Sequence, residues 1–242
     1  MRALLKSSHF LVGLVKSLRA IPEDLQRLAW TLRRGGQIAA YLAEPAPHKL
    51  QIGCGRNHLA GWLNTDYAPR TPGAVYLDAT QRFPFADATF DFAFSEHVIE
   101  HLGYLDGQNL LREAWRTLRP GGLIRIATPN LLNLATLLDE PLDDLRRRYI
   151  RRAVERYMQK IGIEEPGFVF NNFIWDFGHI FVYDPKTLAI ALKAAGFIEP
   201  QLRAIGQSEI PTLANLETHG QVVGEDLNEF ETMVMEARKP RP

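Results

Sequence analysis

The 242-residue chain is 46% hydrophobic and 23% charged, with 28 basic and 28 acidic residues giving a formal net charge of zero. That composition suits one sizeable folded α/β domain and excludes a largely disordered chain, while the balanced charge excludes a global field, so no nucleic-acid partner is expected. The single cysteine, Cys54, excludes an intrachain disulfide and a thiolate zinc cluster, as suits a cytoplasmic protein.

Arg2 and Lys6 precede a short apolar run, Phe10 to Val15. The run is too short for a secretory signal, Lys16 and Arg19 stand where a cleavage site needs small residues, and no stretch reaches the roughly 20 apolar residues of a membrane span. It reads as an amphipathic helix with basic flanks that packs over the domain; association with a membrane surface is possible but not expected. The first 45 residues form a helical segment ended by Pro45-Ala46-Pro47, and residues 46–242 form the main domain.

Lys49-Leu50-Gln51-Ile52 predicts a first strand running into Gly53-Cys54-Gly55, and a second leads through Trp62 to Asp66. Too few residues separate the two for a full crossover helix, so that helix is expected to shrink to about a turn, with the N-terminal helices covering its face. A third strand ends at Asp78, a fourth spans Phe90 to Phe94, and a helix follows from about His97 to Leu118. Arg119-Pro120-Gly121-Gly122 has Pro and Gly where a type II turn needs them, and launches a fifth strand, Leu123 to Ala127. Residues 131–178 leave the alternating scheme as a helical and aromatic lid insertion. Pro185 to Ala195 is helical up to Gly196, and late strands fall near 201–205 and 231–237, joined by a connection with little obvious structure. The expected fold is a doubly wound, mostly parallel, seven-stranded Rossmann-like α/β sheet.

Glycines after a first strand let a ligand approach the backbone, although Gly53-Cys54-Gly55 alone is equally a tight turn. His58 stands where a dinucleotide fingerprint wants its third glycine, which disfavours a pyrophosphate ligand and a nicotinamide oxidoreductase. Asp66 is placed to accept from a ribose diol and Asp78 from an adenine amino group, so three neighbouring strand tips would meet one nucleoside.

In these features the chain resembles the class I S-adenosylmethionine-dependent methyltransferases. The resemblance rests on Gly53-Cys54-Gly55, Gly61-Trp62-Leu63-Asn64-Thr65-Asp66, Phe83 to Asp91, Glu96-His97-Val98-Ile99-Glu100-His101-Leu102 and Arg119-Pro120-Gly121-Gly122. It covers about Lys49 to Asn130 and returns weakly at His179 to Phe197. It implies that Gly53 and Gly55, with Cys54 between them, line the methionine part of S-adenosylmethionine, that Asp66 holds the ribose, and that Asp78 and Ala79 meet the adenine. Ser95, Glu96 and His97 would close over the sulfonium. The implied activity is methyl transfer to a small-molecule or glycan-like acceptor through oxygen; the alternative is a catalytically inactive ligand-binding or scaffolding protein with the same fold.

His97-Val98-Ile99-Glu100-His101 also satisfies the His-x-x-Glu-His pattern of inverted zinc peptidases. Such a site needs a third ligand from elsewhere and leaves the glycines, Asp66 and Asp78 unexplained, so no metal is expected. Methyl transfer chiefly requires alignment, with a base optional; His97 and His179 are the candidates. Asn130, at the tip of the fifth strand, faces the expected acceptor side. In the insertion, an arginine run containing Arg148 and Arg152 is either a solvated helix face or a site for an anionic acceptor, and the aromatic segment containing Trp175 is either lid core or a pocket wall.

Overall fold

The computed structural model describes the backbone of residues 9–242 and side chains from Glu23 onward. Seven strands form one sheet: β1 (Lys49–Ile52), β2 (Leu63–Asp66), β3 (Val75–Tyr76), β4 (Phe90–Glu96), β5 (Leu118–Pro129), β6 (Ile198–Arg203) and β7 (Thr232–Arg238). Their spatial order is β3-β2-β1-β4-β5-β7-β6. The β1, β2, β3, β4 and β5 pairings are parallel, and β7 runs antiparallel between β5 and β6. The doubly wound expectation holds, and the order reverses direction between β1 and β4, where open α/β sheets leave a crevice at the carboxyl edge.

Near-continuous apolar runs mark the central strands because both faces are covered. Leu50, Ile52, Phe90, Phe94, Ile124 and Ile126 are essentially inaccessible. Helix α1 (His9–Leu42) is one continuous helix, and its C-terminal half lies over the β3 edge. There Ile38 is buried, Trp30 stacks on Tyr76 at 6.0 Å, and the Tyr41 hydroxyl accepts from the Lys49 amide at 2.7 Å. The expectation that an N-terminal helix attends the short crossover is met in this way. The apolar run at Phe10 to Val15 lies outside the residues whose side chains are described, and so does any membrane contact it makes. Among the described residues no helix is long and apolar enough to cross a membrane.

Between β1 and β2 there is no helix. Asn64 does the work of helical hydrogen bonds there: its Oδ1 accepts from the Leu59 amide at 2.8 Å, while Nδ2 donates to the carbonyls of Leu59 and Trp62. Gly121 has the positive φ of +81° that the third position of a type II turn requires. The ladder nevertheless continues past it, as an irregularity opposite Phe90 and Phe92, so β5 begins at Leu118 rather than Leu123.

Helix α2 (Tyr104–Thr117) buries Leu110, Leu111 and Ala114 at helical spacing against the sheet. The insertion contains α3 (Leu131–Ala135), α4 (Asp144–Tyr157) and α5 (Pro166–Trp175), and it has its own apolar cluster around Leu134, Ile150, Val154 and Phe173. Helix α6 (Pro185–Ala194) is capped by Asp184, whose carboxylate accepts from the Thr187 amide at 2.9 Å, and ends before Gly196 at φ +101°. The late connection is more ordered than its sequence suggests. It carries a 3-10 turn, α7 (Gly220–Val223) and α8 (Glu225–Glu231), and Val223, Leu227 and Phe230 complete the insertion's cluster.

Candidate active site

A groove of about 550 Å³ lies along the carboxyl ends of β1, β2 and β3, floored by Gly53 and Gly55 and walled by Asp66, Tyr67, Leu77 and Asp78. Gly53 and Gly55 both sit at positive φ, +73° and +53°. A side chain at Gly53 would collide with Val98, whereas a Cβ at Gly55 would meet nothing within 4 Å, so the turn presents bare backbone to an open space. Asp66 faces that turn: one carboxylate oxygen accepts from the Gly55 amide at 2.8 Å and the other from the Ala68 amide at 2.7 Å. Asp78 is fixed by Thr80, whose amide and hydroxyl both donate to Oδ1. Each carboxylate keeps acceptor capacity toward the groove. Bare backbone at one strand tip, acidic acceptors at the next two and the apolar surfaces of Leu77 and Tyr67 fit an adenosyl ligand.

At its far end the groove meets a second cavity of about 230 Å³, and His97 and His101 line both. His97 has φ +50°, an uncommon conformation for a residue with a side chain. Both of its ring nitrogens are engaged, Nδ1 with Glu100 at 3.0 Å and Nε2 with the Thr232 hydroxyl at 3.3 Å. Burial lowers the His97 pKa, but the hydrogen bond and charge of Glu100 outweigh it and the net direction is upward. Glu100 is fully buried; desolvation raises its pKa, yet the bond to His97 and that cation's charge leave it lowered. Its second oxygen accepts from the Thr128 hydroxyl at 3.0 Å. His179 is the opposite case: burial lowers it to about 4, so it is neutral, and its Nδ1 is buried without a hydrogen-bond partner.

The second cavity lies between α4, α5 and the α7–α8 segment. Its walls are mainly apolar and aromatic, with Val169, Phe173 and Phe177 from the insertion, and the Arg152 and Arg156 side chains also border it. The structure thus brings Gly53, Gly55, Asp66, Asp78, Ala79 and His97 together on the groove, and His97, His179 and Arg152 on the cavity. Other expectations are corrected. Cys54 lies under the glycine turn as a buried thiol, pushed up to about 12 by burial and then by the Asp66 charge. Ser95 is buried within β4. Glu96 turns away from the groove, because its carboxylate accepts from the amides of Thr218 and His219 and from the Thr218 hydroxyl. Asn130 caps α3 by accepting from the Leu132 amide at 3.1 Å. Arg148 pairs with Asp226 on the surface, and Trp175 is 74% exposed on the other side of α5 from the cavity.

Sequence reasoning missed His219, Glu231 and Tyr149, all of which line the cavity. His219 Nε2 and Glu231 Oε1 are 2.5 Å apart, and the Tyr149 hydroxyl donates to the other Glu231 oxygen at 2.7 Å. Burial raises the Glu231 pKa, but the bonds from His219 and Tyr149 bring it below its usual value. The His219 and His97 rings stand 4.0 Å apart. No signal marked His219, since it sits in a connection without periodicity; Glu96 and Arg125, far away in sequence, hold that connection in place.

Residues 50–126 match the methyltransferase domain family. A protein of Mycolicibacterium smegmatis named "probable S-adenosylmethionine-dependent methyltransferase" is 31% identical over 155 residues, covering 56% of this chain and 59% of its own length. The chain therefore spans about three fifths of that relative. Among solved structures, an S-adenosylmethionine-dependent methyltransferase from Archaeoglobus fulgidus aligns over 88% of this chain and 93% of its own, at 19% identity and a TM-score of 0.50. A Haemonchus contortus phosphoethanolamine N-methyltransferase in complex with S-adenosyl-L-methionine aligns over 89% of this chain and 52% of its own, at 15% identity and a TM-score of 0.49. The strand-tip motifs lie within or beside residues 50–126, the stretch similar to a methyltransferase domain, and the sheet around them has the doubly wound order of a Rossmann-like methyltransferase fold.

Proposed function

We propose that the protein transfers a methyl group from S-adenosylmethionine to an oxygen of a small acceptor held in the cavity beneath the insertion. The observation that carries this reading is the shared wall: His97 and His101 border both the adenosyl-type groove and the cavity, so the two ligands would meet there. Gly53 and Gly55 would bear the amino-acid part of the cofactor, Asp66 the ribose diol, and Asp78 with Ala79 the adenine. S-adenosylmethionine supplies an activated methyl group on a sulfonium, so the protein's task is to align the acceptor and keep water out. Residues 131–178 act as the lid that does so, with Arg152 and Arg156 offering hydrogen bonds to an anionic group on the acceptor. The cavity is smaller than the roughly 300–1,000 Å³ of drug-sized ligand pockets and mainly apolar, which favours a compact, largely apolar acceptor over a bare sugar.

Where the acceptor is a hydroxyl, His219 is the base that the geometry favours. Glu231 holds Nε2 and so sets the tautomer that leaves the Nδ1 lone pair available, while both nitrogens of His97 are already engaged. Calorimetry with S-adenosylmethionine, S-adenosylhomocysteine and NAD tests the cofactor: heat with the first two and none with NAD is expected. No heat with either sulfur compound refutes the reading. Turnover is then measured with a panel of phenols, enols and carboxylic acids. Binding of both cofactor forms without turnover on any acceptor would instead favour a ligand-binding protein.

A further inference from the structure

The His-x-x-Glu-His segment lacks a third ligand in sequence, yet the fold supplies one. One donor atom from each of Glu100, His101 and His179 lie within 4.8 Å of one another. His179 comes from a strap 78 residues beyond His101, and this strap is clipped in place by backbone bonds: the Glu100 carbonyl accepts from the amides of Ile180 at 2.8 Å and Phe181 at 3.2 Å. His179 itself is 8% exposed, with Nδ1 unpartnered. A buried imidazole nitrogen without a hydrogen bond is costly unless something else occupies its lone pair.

The groups around the three are those that orient metal ligands. His101 Nδ1 lies 3.3 Å from the Gly178 carbonyl, which as acceptor fixes the tautomer with Nε2 free to ligate. The two Glu100 oxygens accept from His97 and Thr128, one bond each, and each retains a second lone pair. His97 is therefore an outer partner rather than a ligand, unlike in the zinc peptidase pattern. We propose that Glu100, His101 and His179 bind a divalent first-row transition-metal ion, zinc being the type case, at the wall between groove and cavity. Two imidazoles and a carboxylate are a common ligand set for such ions and leave positions open. His101 and His179 both line the cavity, so water or an oxygen of a bound molecule would complete the shell there. Ligand bonds of roughly 2.0–2.2 Å require donors closer together than 4.8 Å, so binding is expected to turn the imidazole rings toward the ion.

The test uses untagged full-length protein freed of metal with a chelator and titrated with zinc chloride alone, followed by calorimetry and by anomalous diffraction from zinc-soaked crystals. One ion per chain at the three named side chains is expected, and His179→Ala and His101→Ala should each weaken binding at least about 10-fold. His58→Ala serves as a control for adventitious histidine binding and should change nothing. Glu100→Gln is read only after its fold is verified by circular dichroism; the two histidine variants carry the test otherwise. Absence of stoichiometric binding, equal binding by His179→Ala, or anomalous density elsewhere would overturn the proposal. Because the titration contains no S-adenosylmethionine, failure here leaves the methyl-transfer reading standing, and failure of cofactor binding leaves this site standing.

Discussion

Arg125 is a fully buried cation at the centre of β5, and its replacement by methionine is expected to uncouple the 206–219 connection from the sheet. Its guanidinium donates to Glu217 at 2.6 and 3.0 Å, to Glu236 at 2.7 Å and to the Gln207 carbonyl at 2.8 Å. Both carboxylates are nearly inaccessible, with side chains 1% and 4% exposed. Methionine fills much of the volume but leaves two buried anions. Glu236 retains a bond from Arg203 at 3.1 Å, whereas Glu217 retains only the Gly206 amide at 2.9 Å. Breaking one side of a buried ion pair costs about 3–5 kcal/mol. With a urea m-value of about 3 kcal/mol/M, that is a fall of about 1–1.7 M in the unfolding midpoint. The asymmetry makes the expectation sharper. In the Arg125→Met background, Glu217→Gln should recover at least about 1 kcal/mol, and Glu236→Gln less, because only Glu217 is left without a cation. Urea melts followed by tryptophan fluorescence and circular dichroism measure all four proteins. A midpoint within 0.3 M of wild type, on the order of 1 kcal/mol, or equal recovery by the two glutamines, would show that Arg125 does not hold this connection as described.

Asp66→Asn keeps the side chain's shape but removes the charge, and S-adenosylhomocysteine affinity by calorimetry should fall about 10- to 100-fold, the equivalent of one charged hydrogen bond of about 1.5–3 kcal/mol. An unchanged affinity would separate Asp66 from the ribose. The Glu231 carboxyl is held below its usual 4.5, first against the upward push of burial and then by His219 and Tyr149, so its contribution to stability is present above that value and is lost as pH falls through and below it. The melting temperature of Glu231→Gln should therefore lie below wild type at pH 7, with the gap closing toward pH 3; a gap independent of pH contradicts the assignment. Cys54, pushed up to about 12, should react with iodoacetamide at pH 8 about 2,000-fold more slowly in the native protein than in urea, where a thiol near 8.5 is about one quarter ionised. Equal rates would place the thiol at the surface.

Much of the groove at the β1, β2 and β3 tips was legible because its parts are local. A strand, a glycine turn and an aspartate at the next strand tip occupy short stretches of chain, and the distance from Gly55 to Trp62 alone excludes a full crossover helix. The second cavity was less legible because side chains from distant elements build it. Glu96 sits at the expected strand tip, but the alternation of a strand sends it to the opposite face, where it clasps Thr218 and His219. Trp175 and Arg148 belong to the right helices but to the wrong helical faces, and residues at 3.6-residue spacing cannot be phased until a partner surface is known.

The histidines show how one motif can serve two pockets. Glu100 is buried and ionised only because His97 and Thr128 satisfy it, and that requirement places His97 in a strained backbone conformation at the junction. Once His97 is committed to Glu100, proton transfer in the proposed reaction would fall to a histidine that has a carboxylate partner and still keeps one nitrogen free, and among the four cavity histidines His219 with Glu231 meets that condition. The motif inside the stretch that matches a methyltransferase domain thus builds the wall, while the late connection pinned by Arg125 supplies His219, the group that would face the proposed acceptor. Changes in acceptor are expected to track residues 206–231 and the insertion, with the β1, β2 and β3 tips unchanged.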